Sequence, residues 1–210
     1  MTERIISLVI GYLFGNFLTG YIVSKIKKVD IQNEGSGNVG TTNSYRVMGR
    51  KAGIIVLLGD VLKVVIATLI VWFIYKDTEP ELSRLYMYYS AAGCVLGHCF
   101  PFFLKFKGGK GIACTAGLIV AVCPLAIPVC LIIFVGCVAI TKYVSLGSVL
   151  VLISLFIQGL IFGYMGKIPV PAENTYEVYL LLLFVAVIGI VKHRSNIKRL
   201  LSGTENKFKI

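Results

Sequence analysis

Five stretches of this chain, residues 5–26, 53–75, 85–104, 144–164 and the shorter 178–191, are too long and too apolar to be left in water. A helix rises about 1.5 Å per residue, so about 20 apolar residues cover the roughly 30 Å of hydrocarbon in a bilayer. Each run therefore predicts a membrane-crossing helix, which satisfies every backbone N–H and C=O within itself. Composition points the same way: 57% of the 210 residues are hydrophobic and only 15% are charged, against about 45–50% and 25% in soluble domains. Such a balance excludes intrinsic disorder and a disulfide-framed miniprotein and leaves little room for a soluble globule. The length fits one integral membrane domain, 1–210, without a separate soluble catalytic module.

A sixth apolar run, 112–140, contains Pro124 and Pro128. Each proline removes a backbone donor and clashes with the preceding turn, so the run is either one kinked span or two short helices. Loop charge chooses between them, because Lys and Arg collect on the cytoplasmic side of short loops. Lys25, Lys27, Lys28, Arg46, Arg50 and Lys51 put segment 24–52 inside, and Asp77, Glu79 and Glu81 put the 76–84 loop outside. Lys105, Lys107 and Lys110 return the chain inside. A single crossing of 112–140 would then strand Lys142 and the basic tail, with Lys192, Arg194, Lys198, Arg199, Lys207 and Lys209, on the wrong side.

A hairpin of two arms restores parity. Arms of about 14 residues reach only about 21 Å, which predicts tilt or partial re-entry. The expected fold is an all-α polytopic integral membrane protein of seven helical segments, some short or re-entrant, with the N-terminus outside and the C-terminus cytoplasmic. Inside segments then hold 16 of the 21 basic residues and three of the ten acids. The net charge of +11 thus marks a membrane face and not a nucleic-acid interface. In the first run the positive cluster follows the apolar stretch, the reverse of a cleavable signal peptide.

The six cysteines lie mostly in apolar runs without CxxC spacing, and His98 and His193 form no HExxH pattern, so no metal site and no cofactor are expected. Three polar, glycine-rich clusters remain, and the charge map places all of them on the inner face.

Gly35 to Asn43, followed by Arg46, combines glycines that let backbone amides turn inward with Ser, Asn and Thr donors and a guanidinium suited to an oxyanion. The alternative is a glycine-rich loop capping the next helix through Thr41 or Thr42. The second cluster runs from Gly97 and His98 to Phe106-Lys107-Gly108-Gly109-Lys110-Gly111, where lysines meet the start of an apolar helix, a natural anion cradle. It is not a Walker A loop, since Gly111 stands where Ser or Thr is required. Lys105 and Lys107 by themselves also fit side chains reaching to lipid headgroups. The third is His193 to Leu201, where a helix would put His193, Asn196 and Ile197 on one face; the alternative is a polybasic tail beside the membrane. Asp60 and Lys63, at i and i+3 within an apolar run, are expected to pair.

Ser-Gly-Asn-x-Gly-x-Thr-Asn at 36–43, Gly-His-x-x-Pro-x-Phe-x-x-Phe-Lys-Gly-Gly-Lys-Gly at 97–111 and His-Arg-x-Asn-Ile-x-Arg-Leu-Leu at 193–201 resemble, in order and spacing, the three motifs of the PlsY family. Members are bacterial membrane enzymes that acylate glycerol-3-phosphate from acyl phosphate. The segment Tyr143-Val144-Ser145-Leu146-Gly147-Ser148 is similar to a fourth family stretch. The resemblance implies catalytic roles for His193, Asn196 and Ser36. It implies substrate binding by Arg46, Asn38, Thr42, Asn43, Lys107, Gly108, Gly109, Lys110, Ser145 and Ser148.

Implied partners are acyl phosphate, glycerol-3-phosphate and membrane lipids, and the implied location is the bacterial plasma membrane with the active site at its cytoplasmic face. The His-x4-Asp pattern of other acyltransferases is absent, since Phe103 follows His98 and Lys198 follows His193 at that spacing. Phosphate is already a good leaving group, so proximity supplies much of the expected rate enhancement. No covalent acyl-enzyme is expected, because Ser36 has no base partner in its motif. No acid stands in the third motif to orient His193, which argues against an obligatory base there. The competing class is a secondary transporter of phosphorylated metabolites, whose broken helices bind anions near the midplane.

Overall fold

The computed structural model describes residues 1–208; Lys209 of the basic tail lies outside the described residues. The described residues contain helices and turns and no strand. They divide into two compact units, Met1–Val122 and Cys123–Ile210.

The first unit holds α1 (Thr2–Gly15), α2 (Thr19–Ile26), α3 (Thr41–Met48), α4 (Arg50–Tyr75), α5 (Pro80–Cys99) and α6 (Ile112–Val122). The expected first span is thus two helices broken at Asn16–Leu18. Asn16 Nδ2 donates back to Tyr12 O at 2.6 Å, and Lys63 of α4 donates to Gly15 O at 3.3 Å and Phe17 O at 2.8 Å. Carbonyls freed by the break are therefore satisfied inside the protein, as a chain at membrane depth requires. α1 packs most extensively on α5. Gly11 and Gly93 permit this: a methyl on Gly11 would run into Ser90 O, and one on Gly93 into Leu8 O. Small residues at facing positions let helix backbones approach closely where lipid gives no hydrophobic drive to association.

The second unit holds α7 (Ile127–Thr141), α8 (Val144–Tyr164), α9 (Thr175–Lys192) and α10 (Arg194–Leu201). The 112–140 run is two helices, of 11 and 15 residues, separated by a turn through Pro124. α8 packs on both α7 and α9. Six segments among the described residues are long and apolar enough to cross a membrane, and α6 is a seventh, shorter apolar helix. The outward faces are greasy: Ile55, Leu58, Leu62 and Phe73 of α4 and Leu131, Ile132 and Ile140 of α7 are exposed. In water such a surface would be untenable; against lipid tails it is the expected finish.

Candidate active site

The first unit carries two of the three motifs. Residues 27–40 form the loop between α2 and α3, and Asn43, 2% exposed at the start of α3, organises it. Its Nδ2 donates to Glu34 O at 3.0 Å and Ile31 O at 3.4 Å, and its Oδ1 accepts the Ser36 N–H at 2.8 Å. Asn38 Oδ1 accepts the Gly40 N–H at 2.9 Å. Gly40, and neither Thr41 nor Thr42, occupies the N-cap of α3. The Thr41 and Ser44 hydroxyls are buried without a hydrogen-bond partner among the described residues. Ser36 and Arg46 are exposed, on the loop and on α3, and Thr42 is half-buried. Asn43 and Asn38 thus shape the loop with the same amides to which the family resemblance gives a part in substrate binding.

The second motif begins at the end of α5. Tyr12 Oη donates to Phe100 O at 2.9 Å, and Asn16 Oδ1 accepts the Phe102 N–H at 3.0 Å, so α1 pins the entry to the loop. Lys105 and Phe106 then take left-handed φ values of 51° and 61°, and Gly111 one of 81°. Thr115 pins the exit, with Oγ1 donating to Gly111 O at 2.9 Å. Gly108 and Gly109 fold back on α5, Gly109 N–H reaching His98 O at 3.0 Å. Exposed Lys107 and half-buried Lys110 stand just before α6, whose first turn holds no acid. Lysines just ahead of a helix N-terminus add to the positive end of its dipole, a setting that favours an anion.

A shared apolar cluster brings these two motifs together: Leu18, Ile31 and Val39 are buried, and Leu104 packs against them. Tyr21 and Phe103 rings meet edge to face at 6.0 Å. The loop carrying Ser36 and the segment leading to Lys110 therefore rest on one patch.

The second unit carries the third motif and the 143–148 segment. His193 is not inside a continuous helix but sits between α9 and α10, 2% exposed. Its Nδ1 lies 2.7 Å from Gly189 O. A carbonyl can only accept, so the neutral ring carries its proton on Nδ1 and leaves Nε2 as the acceptor. A backbone oxygen thus does what the missing acid would do, fixing the tautomer.

Glu205, just beyond the third motif, has a part that the sequence did not reveal. Gly203, at φ 70°, turns the chain back after α10. The Glu205 carboxylate then accepts from Asn196 Nδ2 at 2.6 Å, Ser145 Oγ at 2.8 Å and Arg199 Nε at 2.7 Å. Burial alone would push this carboxyl up; the hydrogen bonds from Asn196, Ser145 and Arg199, with the Arg199 charge, hold it below the ordinary carboxylate range. Ser145 and Asn196, expected at the site from separate stretches of sequence, are thereby joined through one acid. Ser148, 2% exposed one turn along α8, donates to Val144 O at 2.8 Å.

A family profile described as glycerol-3-phosphate acyltransferase matches residues 5–203. The chain belongs to that family. It is 39% identical over 209 residues to a glycerol-3-phosphate acyltransferase of Trichlorobacter lovleyi, with all of both chains covered. It is 43% identical over 205 residues to one of Clostridioides difficile, covering 97% of this chain and 94% of that one. Two crystal structures of PlsY (YgiH), an integral membrane glycerol 3-phosphate acyltransferase, are similar throughout. The glycerol 3-phosphate form has a TM-score of 0.82 at 34% identity, covering 98% of this chain and 96% of that one. The lysophosphatidic acid form has a TM-score of 0.80 at 33% identity, covering 98% and 95%.

Proposed function

We propose that the chain transfers a fatty acyl group from acyl phosphate to the 1-hydroxyl of glycerol-3-phosphate, giving lysophosphatidic acid and phosphate. The observation that carries it is the likeness, over nearly the whole chain, to one enzyme in two forms, one with glycerol 3-phosphate and one with lysophosphatidic acid. These are the acceptor and the acylated product of that reaction. The family profile runs through both compact units, which supports 1–210 as one acyltransferase domain.

The chain's own residues supply what this chemistry needs. Lys107, Lys110 and Arg46 offset the charge of phosphate groups, and the Gly108–Gly109 turn offers backbone where a side chain would obstruct. The unpartnered Thr41 hydroxyl at the start of α3 suits an oxyanion. The glycerol oxygen attacks the acyl carbonyl carbon, a C–O bond forms, and the acyl–phosphate C–O bond breaks with its electron pair going to phosphate. The hydroxyl proton passes to His193 Nε2 or to a departing phosphate oxygen. Asn196 and Ser145, held by Glu205, and Ser148 beside them line the His193 end of the second unit. No cofactor, metal or nucleic acid enters the scheme, and the two chemical partners are joined by the membrane lipid that solvates the acyl chain. The basic segments support a site at the cytoplasmic face of a bacterial plasma membrane.

Purified protein in detergent, given acyl phosphate and glycerol-3-phosphate without added nucleotide, should release phosphate and form lysophosphatidic acid in equal amounts. Absence of both products from folded protein overturns the assignment. Accumulation of unmodified glycerol-3-phosphate in proteoliposomes would mark a transporter instead.

A further inference from the structure

One buried polar group in the first unit has no part in the scheme above. Asp60 and Lys63 of α4 and His98 of α5 are 0%, 6% and 2% exposed, inside segments otherwise built for lipid. Lys63 Nζ lies 2.8 Å from Asp60 Oδ1, 2.8 Å from Phe17 O, 3.3 Å from Gly15 O and 3.0 Å from His98 Nδ1. Thr19 Oγ1 donates to the same Asp60 oxygen at 3.0 Å. Asp60, His98 and Cys114 offer a carboxylate, an imidazole and a thiol within 4.8 Å of one another. A metal ion is disfavoured there, because the Lys63 ammonium already holds both Asp60 and His98.

That ammonium can only donate, so His98 Nδ1 accepts and the neutral imidazole carries its proton on Nε2. Nε2 faces the phosphate-loop candidate directly: a methyl built on Gly109 would land on it, with Cδ2 and Cε1 also too close. The His98 carbonyl takes the Gly109 N–H at 3.0 Å. Gly109 is thus held from two sides by one residue, by its backbone and by its ring. The loop needs such a hold, since the left-handed Lys105 and Phe106 store strain that the surroundings must oppose. Its two ends are pinned by α1 and Thr115, so the middle, next to Lys110, is set by the His98 ring.

We infer that Asp60, Lys63 and His98 form a positioning clamp in which the buried ammonium fixes the His98 ring and the ring sets Gly109, and with it Lys110, for the anionic acceptor. The assignment rests on the proposed reaction. None of the three touches substrate; they act through the loop. Pairing of Asp60 with Lys63, expected from their spacing, is then only the first link.

The test uses two variants of the full-length protein in detergent. His98→Gln keeps an acceptor for Lys63 and removes the ring. Asp60→Asn/Lys63→Met removes the ammonium without leaving a buried unpaired carboxylate. In each, KM for glycerol-3-phosphate should rise about tenfold while kcat and KM for acyl phosphate change less than about threefold. Amide exchange at 106–111 should quicken about tenfold in both, with melting temperature little changed in His98→Gln and lowered in the double variant, which also frees the Gly15 and Phe17 carbonyls. Gly109→Ala added to His98→Gln should raise KM by less than the product of the two single effects, because both act at one contact.

Unaltered KM and exchange in folded variants overturn the clamp, as does an equal rise in both KM values accompanied by lost thermal stability, which marks a merely structural group. Should the double variant not fold, His98→Gln decides alone, since it leaves the Asp60–Lys63 pair in place. Should wild-type protein make no product, the reaction assignment fails. The exchange measurement still judges the clamp.

Discussion

Lys110 and Glu205 have opposite relations to charge. Lys110 stands half-buried beside the positive end of α6 with Lys107 three residues away, an arrangement whose electrostatics improve when an anion binds. Lys110→Ala should raise KM for glycerol-3-phosphate at least about tenfold, equivalent to about 1.4 kcal/mol, with a smaller change in kcat. Unchanged steady-state kinetics would remove Lys110 from the site. Glu205 accepts hydrogen bonds from Asn196, Ser145 and Arg199. Its carboxyl titrates below the ordinary value of 4.5, so the charged form stabilises the folded tail above that pH, and the contribution fades as pH falls through the lowered value. Glu205→Gln should cost roughly 1–2 kcal/mol at pH 7. In thermal unfolding, the difference between variant and wild type should shrink as pH drops below about 4.5. A difference that grows on acidification would contradict the assigned state.

At the scale of the helix, sequence was a sound guide wherever apolar content alone decides, and a poor one where partners far along the chain do. The 144–164 run is α8 to the residue, and 53–75 is α4 with one more polar turn. The 112–140 run breaks at its prolines as their chemistry demands. α5 begins at Pro80, earlier than 85, because proline suits the first helical turn while the polar residues after it lower the local hydropathy. The break at Asn16–Leu18 carries no proline, and what makes it tolerable is Lys63, more than 40 residues away. The motifs stood out in the sequence as polar, glycine-rich stretches, but not the part the Asn43 amide takes in shaping its loop, nor the role of Glu205, which only the turn at Gly203 brings to Asn196.

The α1–α5 seam makes a testable case of a contact that hydropathy cannot read. In Gly93→Val the Cβ alone would run into the Leu8 carbonyl and press on the Tyr12 amide of α1, before its two methyls are placed. Backbone cannot yield as a flexible side chain does, so the expected loss is about 3 kcal/mol or more, seen as a lowered melting temperature in detergent. A wild-type melting temperature would show that the two helices separate more readily than their packing implies.

For the whole molecule, the decisive quantity is the sidedness of charge. The segments 24–52, 105–111 and 192–208 carry most of the lysine and arginine, while the turn between α4 and α5 carries Asp77, Glu79 and Glu81. With α6 and α7 as separate helices, seven apolar segments put the two ends of the chain on opposite sides if each crosses, N-terminus out and C-terminus in. In a background where the six cysteines are replaced by serine or alanine, Thr78→Cys and Asn206→Cys report the two faces from exposed positions. A membrane-impermeant maleimide should label position 78 in intact cells and position 206 only after the membrane is opened or inverted. Labelling of both from the same side would mean that one apolar segment does not cross. The one to suspect first is α6, whose 11 residues span only about 17 Å. Position 206 labelled from outside would invert the map, and with it the expected placement of all three motifs on the inner face.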